Sequence, residues 1–167
     1  AAAALELGLI GLNDRIFCPG FYELGSRKFH CWLKGGHGKL TLQEAIQKSC
    51  DVYFYELARK VGIKRIGAMA RILGLGQSYN LPLTGLSKGF VPTKKWKKER
   101  FGTSWLVGDT LNVGIGQGFS LATPLQLAVM TARIASGKEV TPKLIKTPGE
   151  KPDEIKTLSI RKDTLVS

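Results

Sequence analysis

Acidic side chains are scarce in this sequence: 13 Asp and Glu stand against 25 Lys and Arg, leaving a formal charge of +12. Long apolar runs are missing too. None approaches the ~18 residues that a membrane-crossing helix requires, and no signal peptide opens the chain. Internal repeats and low-complexity tracts are absent, which argues against solenoid and linker architectures. Cysteine and histidine are sparse, at 3 and 2 residues, and all three cysteines fall between positions 18 and 50.

The 167 residues present are enough for one domain with a real core. Hydrophobic residues at 43% and charged residues at 23% describe a globular chain rather than a disordered one. Ala1-Ala2-Ala3-Ala4-Leu5-Glu6-Leu7 is helix-forming material with no capping residue ahead of it, so a helix entered partway along is expected. Asp163-Thr164-Leu165-Val166-Ser167 ends without a closing element. Both ends are expected to be cuts, and the missing anchor then says nothing about the whole protein. The positive balance favours polyanions. Its densest cluster, Lys94-Lys95-Trp96-Lys97-Lys98-Glu99-Arg100, reads first as a solvated basic face. No nucleic-acid motif accompanies it, so no nucleic-acid partner is expected.

Residues 9–40 are rich in glycine, aromatic and turn residues, and are expected to be loop with a short hairpin at Gly25-Ser26. Thr41-Leu42-Gln43-Glu44 is a capping box and opens a short helix. A second helix is expected from Asp51 to Arg59, with Phe54, Leu57, Ala58 and Val61 as its apolar face and Gly62 as its stop. Residues 63–73 repeat the pattern through Ile66, Met69, Ala70 and Leu73, closed by Gly74. Residues 75–93 read as loop. Thr123-Pro124-Leu125-Gln126 opens another helix, with Leu125, Ala128, Val129 and Ala132 inward and Gly137 as its end. Val140 to Ile145 and Glu154 to Ile160 are expected to be strands. The sum is α+β: a helical body with a few strands at its C-terminal edge.

Between the first two helices stands Ser49-Cys50-Asp51. A serine hydroxyl that both donates and accepts a proton precedes a carboxylate by two residues, at a helix start that can fix both. Ser and Asp are also ordinary caps, so the triplet alone decides nothing. The cysteines and His37 form the pattern C-x12-C-x5-H-x12-C. Cys18, Cys31, His37 and Cys50 would make a complete tetrahedral set for structural zinc, although the close C-x2-C pair of a finger is absent. A disulfide with one leftover thiol, or three unrelated buried cysteines, fits the same residues. His30 is the alternative histidine, but it adjoins Cys31.

The wider context narrows the reading of Ser49-Cys50-Asp51. Ala4 to Ile10, Gly36-His37-Gly38, Ser49-Cys50-Asp51 followed by Val52-Tyr53-Phe54-Tyr55, Trp105 to Asp109, Val113-Gly114-Ile115-Gly116-Gln117-Gly118 and Ala122-Thr123-Pro124-Leu125-Gln126-Leu127 occur in that order. In these segments the chain resembles the transpeptidase domain of class B penicillin-binding proteins, of the penicillin-binding protein 2 type that serves elongation of rod-shaped cells. Such enzymes carry S-x-x-K, then S-x-N or a variant, then K-T-G; the family's second motif often ends in Asp. The resemblance implies the penicillin-binding, serine β-lactamase-like α+β fold and a peptidoglycan D,D-transpeptidase. A serine takes the acyl group of a stem peptide and passes it to a neighbouring amine. Ser49 would relay protons and Asp51 would position a lysine. It further implies β-lactam antibiotics as ligands, a glycan polymerase and cell-shape scaffold proteins as partners, and an inner-membrane protein facing the periplasm. Relatives resemble the cysteine region with acidic residues at positions 18 and 31, and that aligned set can bind zinc. No cofactor is needed for the chemistry.

Residues 1–167 are accordingly expected to be a partial transpeptidase domain that begins after S-x-x-K and ends before K-T-G, and that is inactive alone. Ser159-Ile160-Arg161-Lys162 matches the first motif only in spacing, and Lys146-Thr147-Pro148-Gly149 has proline where K-T-G has glycine. Gly114 to Gly118 lacks the spacing of a phosphate loop and reads as backbone crowding beside a cleft. Trp96, Trp105 and Tyr79 read as packing before stacking platforms. Two rivals remain: a β-lactamase-like hydrolase or sensor on the same fold, and a basic zinc-containing binding module.

Overall fold

The computed structural model describes residues 1–145 and 154–165. A short helix α1 (Ala2–Glu6) is followed by strands β1 (Ile16–Cys18), β2 (Phe21–Leu24), β3 (Arg27–His30) and β4 (Gly38–Leu40). Helices α2 (Leu42–Gln47), α3 (Asp51–Val61), α4 (Ile63–Ile72), α5 (Lys94–Phe101), α6 (Val107–Gly114), α7 (Pro124–Ser136) and α8 (Lys162–Leu165) complete the order. The architecture is α+β, but the strands lie ahead of the helical body. β1 pairs antiparallel with β4, setting Cys18 opposite Gly38. β2 and β3 form a hairpin in which Phe21 faces His30. Its two-residue turn is Gly25-Ser26, and Gly25 takes the positive φ of +61 that such a turn needs.

The strands expected at the C-terminal edge do not form. From 138 onward, the described residues show one isolated bridge, Lys138 to Thr157. Ile145 is 67% exposed, and a strand with no neighbour to bond has nothing to hold it extended. Leu158 and Ile160 are buried instead against Met69 and Leu73 in a second, smaller core. Ser159 to Lys162 runs from a bend into the four-residue α8. Lys146 to Gly149 lies outside the described residues.

The capped helices begin where their caps place them. Thr41 and Glu44 exchange hydrogen bonds at the start of α2, and Thr123 and Gln126 do so at α7. α3 runs to Val61, past the expected Arg59, and is buried on more than one side. Val52, Tyr53 and Tyr55 are covered along with Leu57, Ala58 and Val61, because the helix packs against α1, α6 and the hairpin at once. α7 buries Gln126, Val129 and Arg133 rather than the apolar stripe expected for it. Ala128 and Ala132 face outward. Gln126 donates to the carbonyls of Gln77 and Lys88 at 2.8 Å each, and Arg133 to those of Ile72 and Val140. These two polar side chains satisfy loop carbonyls that would otherwise be orphaned.

Two helices escape the sequence pattern altogether. α5 is the basic cluster; its Thr93 caps Trp96, and most of its charges are solvated. Lys97 is the exception: it is 8% exposed and pairs with Asp109. Asp109 in turn accepts the Leu106 N–H at 2.7 Å and so opens α6. Trp96 packs among Phe90, Phe101 and Phe119; Trp105 donates to Thr110 and Tyr79 to the Gly74 carbonyl, so all three aromatics serve packing. α6 lies so close to α3 that a Cβ at Gly114 would stand 2.4 Å from the Cβ of Ala58. Crowding at this glycine is real, and its cause is a neighbouring helix. Gly114→Ala should therefore cost about 1–3 kcal/mol, the range for overpacking, read as a lowered denaturation midpoint. An unchanged midpoint would mean that the helices part at no cost.

Candidate active-site motif and its thiol–imidazole cluster

Ser49 connects α2 to α3 with φ +48, and it is the sole non-glycine residue at positive φ among those described. Side chains avoid that region, so a serine held there is stored strain of about 1–3 kcal/mol. The turn is fixed from both sides: the Ser49 N–H reaches the Ile46 carbonyl at 3.2 Å and the Cys50 N–H that of Ala45 at 2.9 Å. Ser49 remains exposed.

Cys50 occupies the N-cap of α3 but makes no capping hydrogen bond with its side chain. A Ser or Asp there would contribute about 1 kcal/mol; the thiol points instead into the core, with 0% exposure. Asp51 is the first residue of the helix, where the positive end of the dipole suits a carboxylate. Its Oδ2 accepts the backbone N–H of Trp32 at 2.9 Å. The Trp32 indole donates to the Lys48 carbonyl at 3.0 Å. One residue thus braces both flanks of the motif. A backbone donor leaves no mark in a sequence, and Trp32 could not have been found there.

Trp32 follows Cys31, and Cys31 belongs to a cluster. The sulfurs of Cys18, Cys31 and Cys50 and a ring nitrogen of His37 all lie within 4.8 Å of one another. The cysteines are free and buried, at 1%, 4% and 0% exposure for 18, 31 and 50. His37 Nδ1 stands 3.7 Å from Cys18 Sγ and 3.5 Å from Cys31 Sγ, while its Nε2 is buried and finds no partner among the described residues. His30, on the hairpin, is exposed and stays outside the group. Gly20 and Gly36 let two loops interlock beside it. A Cβ at Gly36 would meet the Cys18 carbonyl at 2.3 Å, and one at Gly20 the Lys34 carbonyl at 2.2 Å. Burial pushes the Cys50 thiol up to about 12; the Tyr53 N–H opposes this and the neighbouring Cys18 and Cys31 thiols add to it. Without a cation, Cys50 is held as a neutral thiol.

The model of the penicillin-binding protein transpeptidase domain matches residues 1–167. The chain belongs to that family. It is 39% identical over 149 residues to the peptidoglycan D,D-transpeptidase MrdA of Haemophilus influenzae, covering 87% of this chain and 23% of the relative. MrdA of Escherichia coli K12 is 39% identical over 130 residues, with 77% of this chain and 20% of the relative covered. The chain therefore spans less than a quarter of these relatives. Among solved structures, Pseudomonas aeruginosa PBP2 in complex with WCK 5153 superposes with a TM-score of 0.88 at 37% identity, over 98% of this chain and 38% of that one. PBP2 of Helicobacter pylori in its complex with MreC gives 0.87 at 38% identity, over 99% and 30%. The transpeptidase fold follows from these likenesses.

Because Ser49 already carries the backbone that glycine prefers, Ser49→Gly should cost stability no more than about 0.5 kcal/mol. Ser49→Ala keeps the strain and should melt no higher than the parent. Thermal denaturation of the pair checks this, and a Ser49→Gly variant less stable than Ser49→Ala would contradict the strained turn.

Proposed function

We propose that this chain contributes the second active-site motif of a peptidoglycan D,D-transpeptidase. The observation that carries the reading is the motif itself: an exposed Ser49 on a strained turn, two residues from a carboxylate held at a helix start. Family membership and the D,D-transpeptidase activity for which the MrdA relatives are named support it. The nucleophilic serine and its lysine belong to an S-x-x-K segment ahead of Ser49, and K-T-G to one that follows; the 167 residues hold neither in working form. In the first step the nucleophile's oxygen bonds to the penultimate D-Ala carbonyl carbon, and the bond to the terminal D-Ala nitrogen breaks. Ser49 passes the proton that the leaving amine needs. In the second step an amine of a neighbouring stem peptide takes the acyl group and releases the serine. Asp51 positions a lysine while Trp32 holds its carboxylate.

β-Lactam antibiotics enter the same site as acylating ligands, as membership of the penicillin-binding family supports. A cell-shape scaffold protein and a glycan polymerase are the proposed partners; one relative is solved with MreC and another within a peptidoglycan synthase complex. The whole protein is placed at the inner membrane with this domain in the periplasm, although no described helix is long and apolar enough to cross a membrane.

Cys18, Cys31, His37 and Cys50 are the proposed zinc ligands. The fit rests on the donor set and its compactness: three sulfurs and one imidazole nitrogen within 4.8 Å of one another would fill a four-ligand structural site. Bound there, zinc supplies a structural cross-link and no chemistry. His37 Nδ1 faces the sulfurs, so Nδ1 is the ligand atom. Cys50 ties the cross-link to the residue between Ser49 and Asp51.

Fluorescent penicillin should label the intact protein, with Ser49→Ala slowing acylation by about 10²–10⁴-fold and the 167-residue chain alone taking no label. Undiminished labelling of the variant would refute the role of Ser49. Metal analysis of the intact protein under reducing conditions should find about one zinc more than in its His37→Ala variant. Because thiols must lose protons to bind metal, zinc affinity should weaken as pH falls. Equal metal content in both proteins would refute the site.

A further inference from the structure

Two of the three clustered thiols are placed to react with each other. Cys18 closes β1, and Cys31 directly follows β3, so they stand on opposite legs of the β2–β3 hairpin. The Cys31 N–H donates to the Gly20 carbonyl at 2.8 Å, carrying the hairpin's pairing past Phe21 and His30 toward the two cysteines. Both sulfurs face the same His37 nitrogen, at 3.7 and 3.5 Å. They are at most 4.8 Å apart, while a disulfide needs about 2.05 Å. Rotation at χ1 and a small shift of the hairpin's base can close that gap. Cys50 is less free: its backbone is the N-cap of α3, the strained Ser49 precedes it, and its side chain is wholly buried. Moving its sulfur means moving the helix.

We propose that Cys18 and Cys31 are a peroxide-responsive pair, which a two-electron oxidation joins as a disulfide, releasing the metal and leaving Cys50 a thiol. The proposal rests on the zinc reading for the release and on geometry alone for the disulfide. One thiolate attacks a peroxide oxygen, the O–O bond breaks, and a sulfenic acid and hydroxide result. The second thiolate attacks the sulfenic sulfur and displaces a second hydroxide. Two thiolates, one hydrogen peroxide and two protons thus become one disulfide and two waters, with the two electrons passing from sulfur to peroxide oxygen. Hydrogen peroxide is little larger than water, and Cys31 directly precedes Trp32, which is 63% exposed. The consequence reaches the active site through that same tryptophan. Displacing Cys31 shifts the Trp32 N–H from the Asp51 carboxylate, so oxidation slows acyl transfer.

The intact protein, zinc-loaded and chelator-stripped in parallel, is treated with hydrogen peroxide. Differential alkylation with peptide mass spectrometry then reads Cys18, Cys31 and Cys50 separately, and a chromophoric chelator follows zinc. In both preparations Cys18 and Cys31 should lose alkylation together and regain it with a thiol reductant, while Cys50 stays alkylatable after denaturation. One zinc should be released per disulfide formed, that is, per two alkylatable thiols lost. Acylation by fluorescent penicillin should drop about 10-fold or more, the scale on which losing an orienting partner lowers activity, and recover on reduction. Cys50→Ser should still form the disulfide, and Cys31→Ser should not. A disulfide that includes Cys50, irreversible sulfinic or sulfonic acid in its place, or three intact thiols after excess peroxide would overturn the proposal. If no zinc loads at all but the stripped protein still forms the Cys18–Cys31 bond, the metal reading fails and the thiol pair stands.

Discussion

Everything near the motif depends on four side chains from separate stretches of chain meeting in one buried spot. Cys18 arrives on β1, Cys31 after the hairpin, His37 on the loop before β4, and Cys50 at the head of α3. None is near another in sequence, so their meeting fixes the β1–β4 pairing, the tilt of the hairpin and the start of α3 together. The sulfurs also belong to the main apolar core, alongside Leu40, Tyr53 and Leu111. A polar cluster inside such a core is costly unless its groups are satisfied, and a cation shared by the three sulfurs and the His37 Nδ1 would satisfy them.

The cluster bears on the motif by two short routes. One is covalent, since Cys50 lies between Ser49 and Asp51. The other passes from Cys31 to Trp32 and across a backbone hydrogen bond to Asp51. A loop of low regularity thereby gains the stiffness that positioning a carboxylate demands, which helices or strands would otherwise have to supply.

What could be read from the sequence divides along the range of the forces involved. α2 and α7 were legible because a cap is a contact between residues three apart, written locally at Thr41–Glu44 and Thr123–Gln126. The Gly25-Ser26 turn was legible for the same reason. α5 and α6 were not, because KKWKKERF has no apolar stripe and α6 starts at an Asp109 whose partner, Lys97, lies on another helix. Strands were expected at 140–145 and 154–160, but a strand exists only when a neighbour accepts its hydrogen bonds, and that neighbour is not encoded in the segment itself. Cysteine count and spacing were enough to nominate the four residues that the structure brings together, His37 rather than His30 among them. They gave no hint of Trp32.

The contact between α3 and α6 has a further consequence for how this domain can vary. With one helix offering Gly114 and the other Ala58, there is no side chain at the crossing whose rotamer could absorb a change. A methyl group added on one side can be accommodated only by removing one from the other. The two positions, far apart in the chain, are therefore free to drift only as a coupled pair, and descendants of this protein should show them changing together or not at all.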